Sequence, residues 1–259
     1  MDLHITTLAE RPELAGPLWG MKDLWPEFMM YDPVGWANVG RIVADFPEYV
    51  LVATDGPTEP ATDDAHPHGK VVARALSVPF ALQAEGRGEL PDTGWDQILL
   101  WAFSDLRHGR KPDTVSAIEI TVDTSALGKG LSGRMLAAMR DNAARLGFSE
   151  VVAPVRPNAK HLEPEASIHE YAFRTRASDG LPHDPWLRVH VRAGATIEKV
   201  APASMTVSGS VEQWRAWTGK PFDTDGPVEV DGALVPVHCE ASRGYGVYVE
   251  PNVWVRHRI

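Results

Sequence analysis

Residues 128–133 read Gly-Lys-Gly-Leu-Ser-Gly. Glycines at this spacing let a backbone turn tightly and come close to a ligand. Directly behind them Leu131, Met135, Leu136, Met139, Ala143 and Leu146 fall on one stripe, which predicts an amphipathic helix over 131–146. The free N–H groups and positive dipole end at the start of such a helix favour an anion, a phosphate above all. An ordinary strand-to-helix turn that needs only small residues has the same pattern. Other chemistry-bearing types are sparse. His66 and His68 stand two apart beside Asp63 and Asp64, with no further ligand pattern, so they read as a solvated loop and no metal is expected. Cys239, in the strand-like run VPVHCE, reads as a small buried core residue. No G-x-S-x-G nucleophile elbow is present.

The elements around the turn follow from periodicity. Residues 114–122 (TVSAIEITV) predict a strand rich in β-branched residues, and 149–155 (SEVVAPV) a second strand after the helix, with Gly147 at its C-terminal end. The order is strand, glycine turn, helix, strand. Upstream, 2–8 predict a short strand, the aromatic region to residue 50 two helical segments parted by Asp32-Pro33, and 48–53 a buried strand. Residues 54–69 carry three prolines and many acids and predict an exposed loop. Residues 70–82 return as strand and 95–107 as helix; downstream, 161–184 is polar and irregular, and 185–193 predict a helix ending at Gly194. The tail beyond about 201 alternates strand-like runs with a helix near 211–217. One elaborated α/β domain over 1–259 is expected, with a core to about 200 and a β-rich extension over about 201–259.

Composition bounds the function. The 259 residues hold 25 Lys+Arg against 35 Asp+Glu, a net charge of −10, and 44% are hydrophobic. That is enough apolar content for a real core, and the acidic balance argues against a nucleic-acid binder, which needs a basic face. No apolar run reaches the roughly 18 residues of a membrane span. The first residues lack the layout of a signal peptide, and one cysteine excludes an intrachain disulfide, so a cytoplasmic location is expected.

Two phosphate ligands compete for the turn. A dinucleotide fold runs its strand almost directly into the first glycine and ends the next strand on an acid. Here residues 123–127 intervene, and the next strand ends in Val155-Arg156-Pro157; that arginine would suit only a 2′-phosphate. Instead, residues 120–132 (ITVDTSALGKGLS) resemble motif A of the GNAT acyltransferase superfamily: a strand ending V-x-P, a short link, R/Q-G-x-G-hydrophobic-G/A and a long helix. Val122, Gly128, Gly130 and Leu131 fall in register, while Thr124, Leu127 and Ser132 depart from it. The resemblance implies a mixed central sheet flanked by helices, with 161–184 as an insertion. It also implies that acetyl-CoA or another acyl-CoA is the cosubstrate. Its pyrophosphate would lie on Leu127, Gly128, Lys129, Gly130, Leu131 and Ser132. Its pantetheine would lie along Ile120, Thr121 and Val122, with Asn158 also on the cofactor.

The implied activity is acyl transfer, an acetyl group in first place, to an amine of a small molecule. Trp19, Trp25, Phe28, Tyr31 and Trp36 would line or flank the acceptor's entry or pack core, and 161–184 would cover the acceptor or be an ornamental loop. Glu119, one residue before Ile120, is the expected base or else a carboxylate facing solvent or an arginine. His190, four residues before Gly194-Ala195 where the family carries a tyrosine, is the expected acid, on the ground that imidazole titrates near neutrality; Tyr171 or water are the other donors. Other acyl-thioester chemistry (hydrolysis, decarboxylation, transfer from a carrier protein) and a non-catalytic acyl-CoA-binding module stay open. Neither nucleic acid nor membrane is expected as a partner, and a homodimer is compatible with the sequence.

Overall fold

The computed structural model describes residues 2–22, 25–56 and 69–259; most of the acidic stretch, with His66 and His68, lies outside the described residues. Along the chain the elements are β1 (Leu3–Thr7), α1 (Pro33–Asp45), β2 (Val50–Asp55), β3 (Lys70–Phe80), α2 (Gly94–His108), β4 (Thr114–Val122), α3 (Leu131–Arg145) and β5 (Glu150–Val155). They continue with α4 (Ile168–Phe173), α5 (Pro185–Arg192), β6 (Thr196–Ser210), α6 (Val211–Thr218), β7 (Gly226–Val228), β8 (Val237–Glu240) and β9 (Tyr245–Arg258). The strands form one sheet in the order β1-β2-β3-β4-β5-β9-β8-β7, with β6 also paired to β9. Every pairing is antiparallel except β4 with β5.

Helices cover both faces. On one, α1, α2 and α6 bury Ile42, Phe103 and Trp214 with Trp254 of β9. On the other, α3 and α5 bury Met135, Met139 and Leu187 against Val253 and Val255. Because strand side chains alternate, neighbours on β9 feed opposite cores, so Val253, Trp254 and Val255 read as a continuous apolar run. No helix among the described residues is long and apolar enough to cross a membrane.

The first helical segment expected before Asp32 is instead a series of short 3-10 turns, Pro12–Ala15, Pro17–Gly20 and Glu27–Tyr31. Prolines at 12, 17 and 26 remove backbone donors and restrict the residue before each, so no turn grows into a helix. The second segment is α1, started by Pro33 and capped by Asp32, whose Oδ2 accepts from the Gly35 N–H at 2.7 Å. The tail is not peripheral. β9 pairs with β5 from Val253↔Val155 to Arg258↔Glu150, so residues 245–258 belong to the main sheet, and 211–244 are the excursion within the β6–β9 hairpin.

The segment 161–184 is organised by Asp184, which is fully buried. One carboxylate oxygen accepts from Ala159 N at 2.9 Å and Tyr171 Oη at 3.1 Å; the other accepts from Trp186 N at 2.9 Å and Leu187 N at 3.0 Å. Asp184 therefore caps α5 and ties the inserted segment to it. Asp184→Ala removes a helix cap and strands buried donors, a loss of about 3 kcal/mol expected in urea unfolding, with Asp184→Asn recovering part of it.

Candidate active site

The parallel ladder between β4 and β5 is short. Only Val115↔Val151 and Ser116↔Val152 pair, after which the strands diverge. On the other edge of β4 the register against β3 jumps between Leu76↔Glu119 and Ser77↔Ala117, leaving Ile118 as a bulged extra residue. The Ile118 carbonyl is taken by Trp95 of α2, whose Nε1–H donates to it at 3.0 Å. The divergence opens a cleft of about 330 Å³, walled by β4 from Ala117 to Val122 and by β5 from Ala153 to Val155. Trp186 and His190 of α5 also line it.

The glycine turn stands at the mouth of this cleft. Gly128 and Gly130 have φ of 75° and 71°, the left-handed region that other residues rarely adopt, and a Cβ at either would meet open space. Their role is backbone conformation and not room. Gly130 is the N-cap of α3 and offers no side chain, so the N–H groups of the first turn are left for an outside acceptor. Asp123 holds the link before it, accepting from Ser125 N at 2.9 Å and from Lys70 at 3.4 Å. Uncapped donors and a splayed strand with an unpaired edge suit a pyrophosphate followed by a pantetheine amide arm.

Of the residues singled out in the sequence, Glu119, Ile120, Thr121, Val122, Leu127, Ser132, Asn158 and His190 all line the cleft. Gly128, Lys129 and Gly130 form the turn; Lys129 is exposed, its Nζ 3.3 Å from Ser125 O, and the Leu131 side chain is buried in the core. Arg156 is not free for a 2′-phosphate: its Nε lies 3.0 Å from both carboxylate oxygens of Glu250.

A second chamber of about 310 Å³ adjoins the cleft, and Trp25, Trp95 and Glu119 line both. Trp19, Trp36 and Asp32 form other parts of its wall. Phe28 is core, packed edge-on against Tyr248 at 5.2 Å, and Tyr31 stacks on Trp217 at 4.2 Å; neither lines the chamber. No residue of 161–184 lines either space, so the inserted segment covers neither, and Tyr171 is held by Asp184 instead. At the junction Glu119 is set by two neighbours. Arg74 Nε donates to it at 2.6 Å, Thr121 Oγ1 donates at 2.6 Å, and Arg74 also reaches Leu18 O and lies 4.7 Å over the Trp19 ring.

His190 departs from its expected behaviour. It is 2% exposed, and its Nδ1 lies 2.9 Å from Nε2 of His257 on β9. Burial, with His257 beside it, drives its pKa down to about 3; burial and Arg140 drive His257 to about 4. At neutral pH both rings are uncharged, so His190 is not an imidazolium acid. One proton lies between the rings. When His257 donates it, His190 presents an N–H at Nε2, which has no partner among the described residues. Asp96, Trp95, Arg74 and His257 carry no local motif in the sequence and became visible only in space; Asp32 was legible only as a helix start.

No family model matches the chain. The arginine N-acetyltransferase avaD of Aspergillus versicolor is 32% identical over 281 residues, spanning 98% of this chain and 93% of that protein. Among solved structures, the loading GNATL domain of CurA from Lyngbya majuscula superposes with a TM-score of 0.58 at 17% identity, covering 99% of this chain and 96% of that one. The GphF GNAT-like decarboxylase in complex with isobutyryl-CoA gives 0.51 at 16% identity, covering 100% and 99%. These two likenesses establish the fold.

Two outcomes are expected. Gly130→Glu places a bulky anion at a positive-φ position beside the uncapped N–H groups of α3; it should weaken CoA binding more than tenfold, roughly 1.4 kcal/mol, in calorimetry on folded protein. The two neutral imidazoles also set an acid limit. Their folded pKa values lie below the unfolded value, so the unfolded chain binds more protons between about pH 6.5 and 4. Stability should therefore fall as pH drops through that window, read from urea midpoints, and His190→Gln should flatten the slope.

Proposed function

We propose, for a chain that belongs to the GNAT superfamily and transfers acyl groups from acyl-CoA to small-molecule amines, that the acyl group is acetyl and the acceptor a small cation of the arginine class. The observation that carries this reading is the junction of two spaces at Glu119: an anion-binding turn and splayed strand on one side, an aromatic chamber with a buried acid on the other. The arginine N-acetyltransferase relative supports the acceptor class. A cytoplasmic setting, where acyl-CoA is supplied, fits the buried free thiol of Cys239.

The amine enters from the chamber and meets the thioester at the junction. Glu119 is the group best placed to relieve the incoming ammonium of its proton, directly or through one water, while Arg74 and Thr121 hold its orientation. Beyond Ser116 the backbone edge of β4 has no partner on β5, which leaves amide donors for the developing oxyanion. His190 replaces the family's phenol as a neutral N–H donor toward the leaving thiolate, whose proton then comes from solvent.

Thiol release from acetyl-CoA, measured with and without arginine, tests the reading. Release that requires the amine supports transfer, and equal release without it overturns transfer in favour of hydrolysis. Glu119→Gln should lower kcat at least ~10²-fold with CoA affinity unchanged. His190→Phe should lower kcat about 10- to 100-fold, the worth of a hydrogen bond to a charged group, and wild-type kcat should show no imidazole limb between about pH 5 and 8.

A further inference from the structure

An apolar rim borders the acceptor chamber. Three large side chains of its wall stand in solvent: Trp36 is 84% exposed, Met30 51% and Trp19 39%. Single exposed hydrophobics are ordinary on a protein surface, but these three border one space, and that space leads to Glu119. The charged groups of the same wall, Arg74 and Asp32, are buried, so the chamber is polar at its inner end and apolar at its rim.

The fold makes no use of the Trp36 indole. On α1 the buried positions are Asn38 and Ile42, with Val34, Val39 and Val43 packed partly against the core. Trp36 belongs to neither core cluster. It stands instead on the helix face that borders the chamber, made by Gly35, Trp36, Val39 and Gly40 at the spacing of neighbouring turns. The other rim and near-rim rings are occupied: Tyr31 stacks on Trp217, and the Arg74 guanidinium lies over Trp19. No ring and no cation lies against Trp36 among the described residues. Gly40, one turn on, brings no side chain, and a Cβ there would meet nothing within 4 Å, so the space beside the indole is open. An indole left in water forgoes the gain of burying its apolar surface, and a bound group would recover it.

We propose that Trp36, with Met30 and Trp19, is a platform for a planar apolar group carried by the acceptor. This rests on the reading of the protein as an acetyltransferase of arginine-class amines and narrows that class to amines bearing such a group. A chamber of about 310 Å³ falls in the range that holds ligands of drug size. The amine meets Glu119 at the inner end, and the apolar group lies on the rim. An indole face and a thioether both suit a planar π-surface. A cation stacked on so exposed a ring gains little and covers none of the Met30 surface, whereas an apolar group covers both.

The test compares L-arginine amide with L-arginine naphthylamide, which differ by the aryl group alone, on the wild type, Trp36→Ala and Trp36→Phe. Because the indole lies outside both core clusters, both variants should keep the wild-type urea midpoint. Wild type should favour the naphthylamide at least ~10-fold in kcat/KM, and the gain should lie in KM, since the platform touches no reacting atom. Trp36→Ala should bring the two amides within about twofold of each other, and Trp36→Phe should keep part of the preference. Equal kcat/KM for the two amides on the wild type, or a preference that Trp36→Ala leaves unchanged, overturns the platform and leaves the acetyltransferase reading standing. Sedimentation supplies a second measurement. A wild-type dimer that Trp36→Ala splits into monomers, with the kinetics unmoved, overturns the platform and makes the rim a contact between copies. If the wild type acetylates neutral amines and no guanidinium compound, the acceptor reading itself falls, and the platform with it.

Discussion

The separation of β4 from β5 is the constraint on which the rest of the molecule turns. Two parallel strands that start in register would ordinarily continue pairing, because a buried unpaired amide is costly. Here the ladder stops after Ser116↔Val152, and two features keep it open. The bulge at Ile118 bends β4 within its pairing to β3, and the Trp95 indole satisfies the carbonyl freed there. The strand edge so exposed is the wall of the cleft. The same bend sets Glu119 where the cleft meets the chamber. Trp95 thus links the helix carrying Asp96 to the strand carrying Glu119.

Buried charge is distributed unevenly around that junction. Glu119 has Arg74, and Glu250 has Arg156 with Tyr248 and Asn252 as further donors. These acids are fixed and satisfied. Among the described residues near the junction, Asp32 and Asp96 lie against each other without a cation, each anchored by a backbone donor. Sharing a proton is how this pair stays buried without a cation.

Chain order and spatial order diverge strongly. The final strand supplies His257, Glu250 and Asn252, three residues that touch or support the cleft wall, and it lies beside β5 rather than at the periphery. The helix bearing His190 is aimed by Asp184, which gathers four donors from three separate stretches of chain. The insertion 161–184 therefore acts as a brace for α5.

Local chemistry encodes part of this fold in short stretches of chain. The strand 114–122, the helix behind the glycines and the strand after it were legible because β-branched alternation, a 3.6-residue stripe and glycine punctuation are short-range signals. The same signals marked the turn, whereas the residues of β4 that line the cleft were named through the resemblance to GNAT motif A. The segment before Asp32 misled, because an aromatic helical pattern was broken by prolines into 3-10 turns. The tail looked like an extension because strand partners cannot be read from one strand alone; pairing with β5 is decided only when the sheet assembles. The titration of His190 was misjudged for the same reason, since burial and a partner 67 residues away set it. The pairing of Asp32 with Asp96 joins two helix starts that nothing in the linear chain connects. Tertiary structure decided these points because desolvation and long-range contact, unlike periodicity, exist only once the chain has folded.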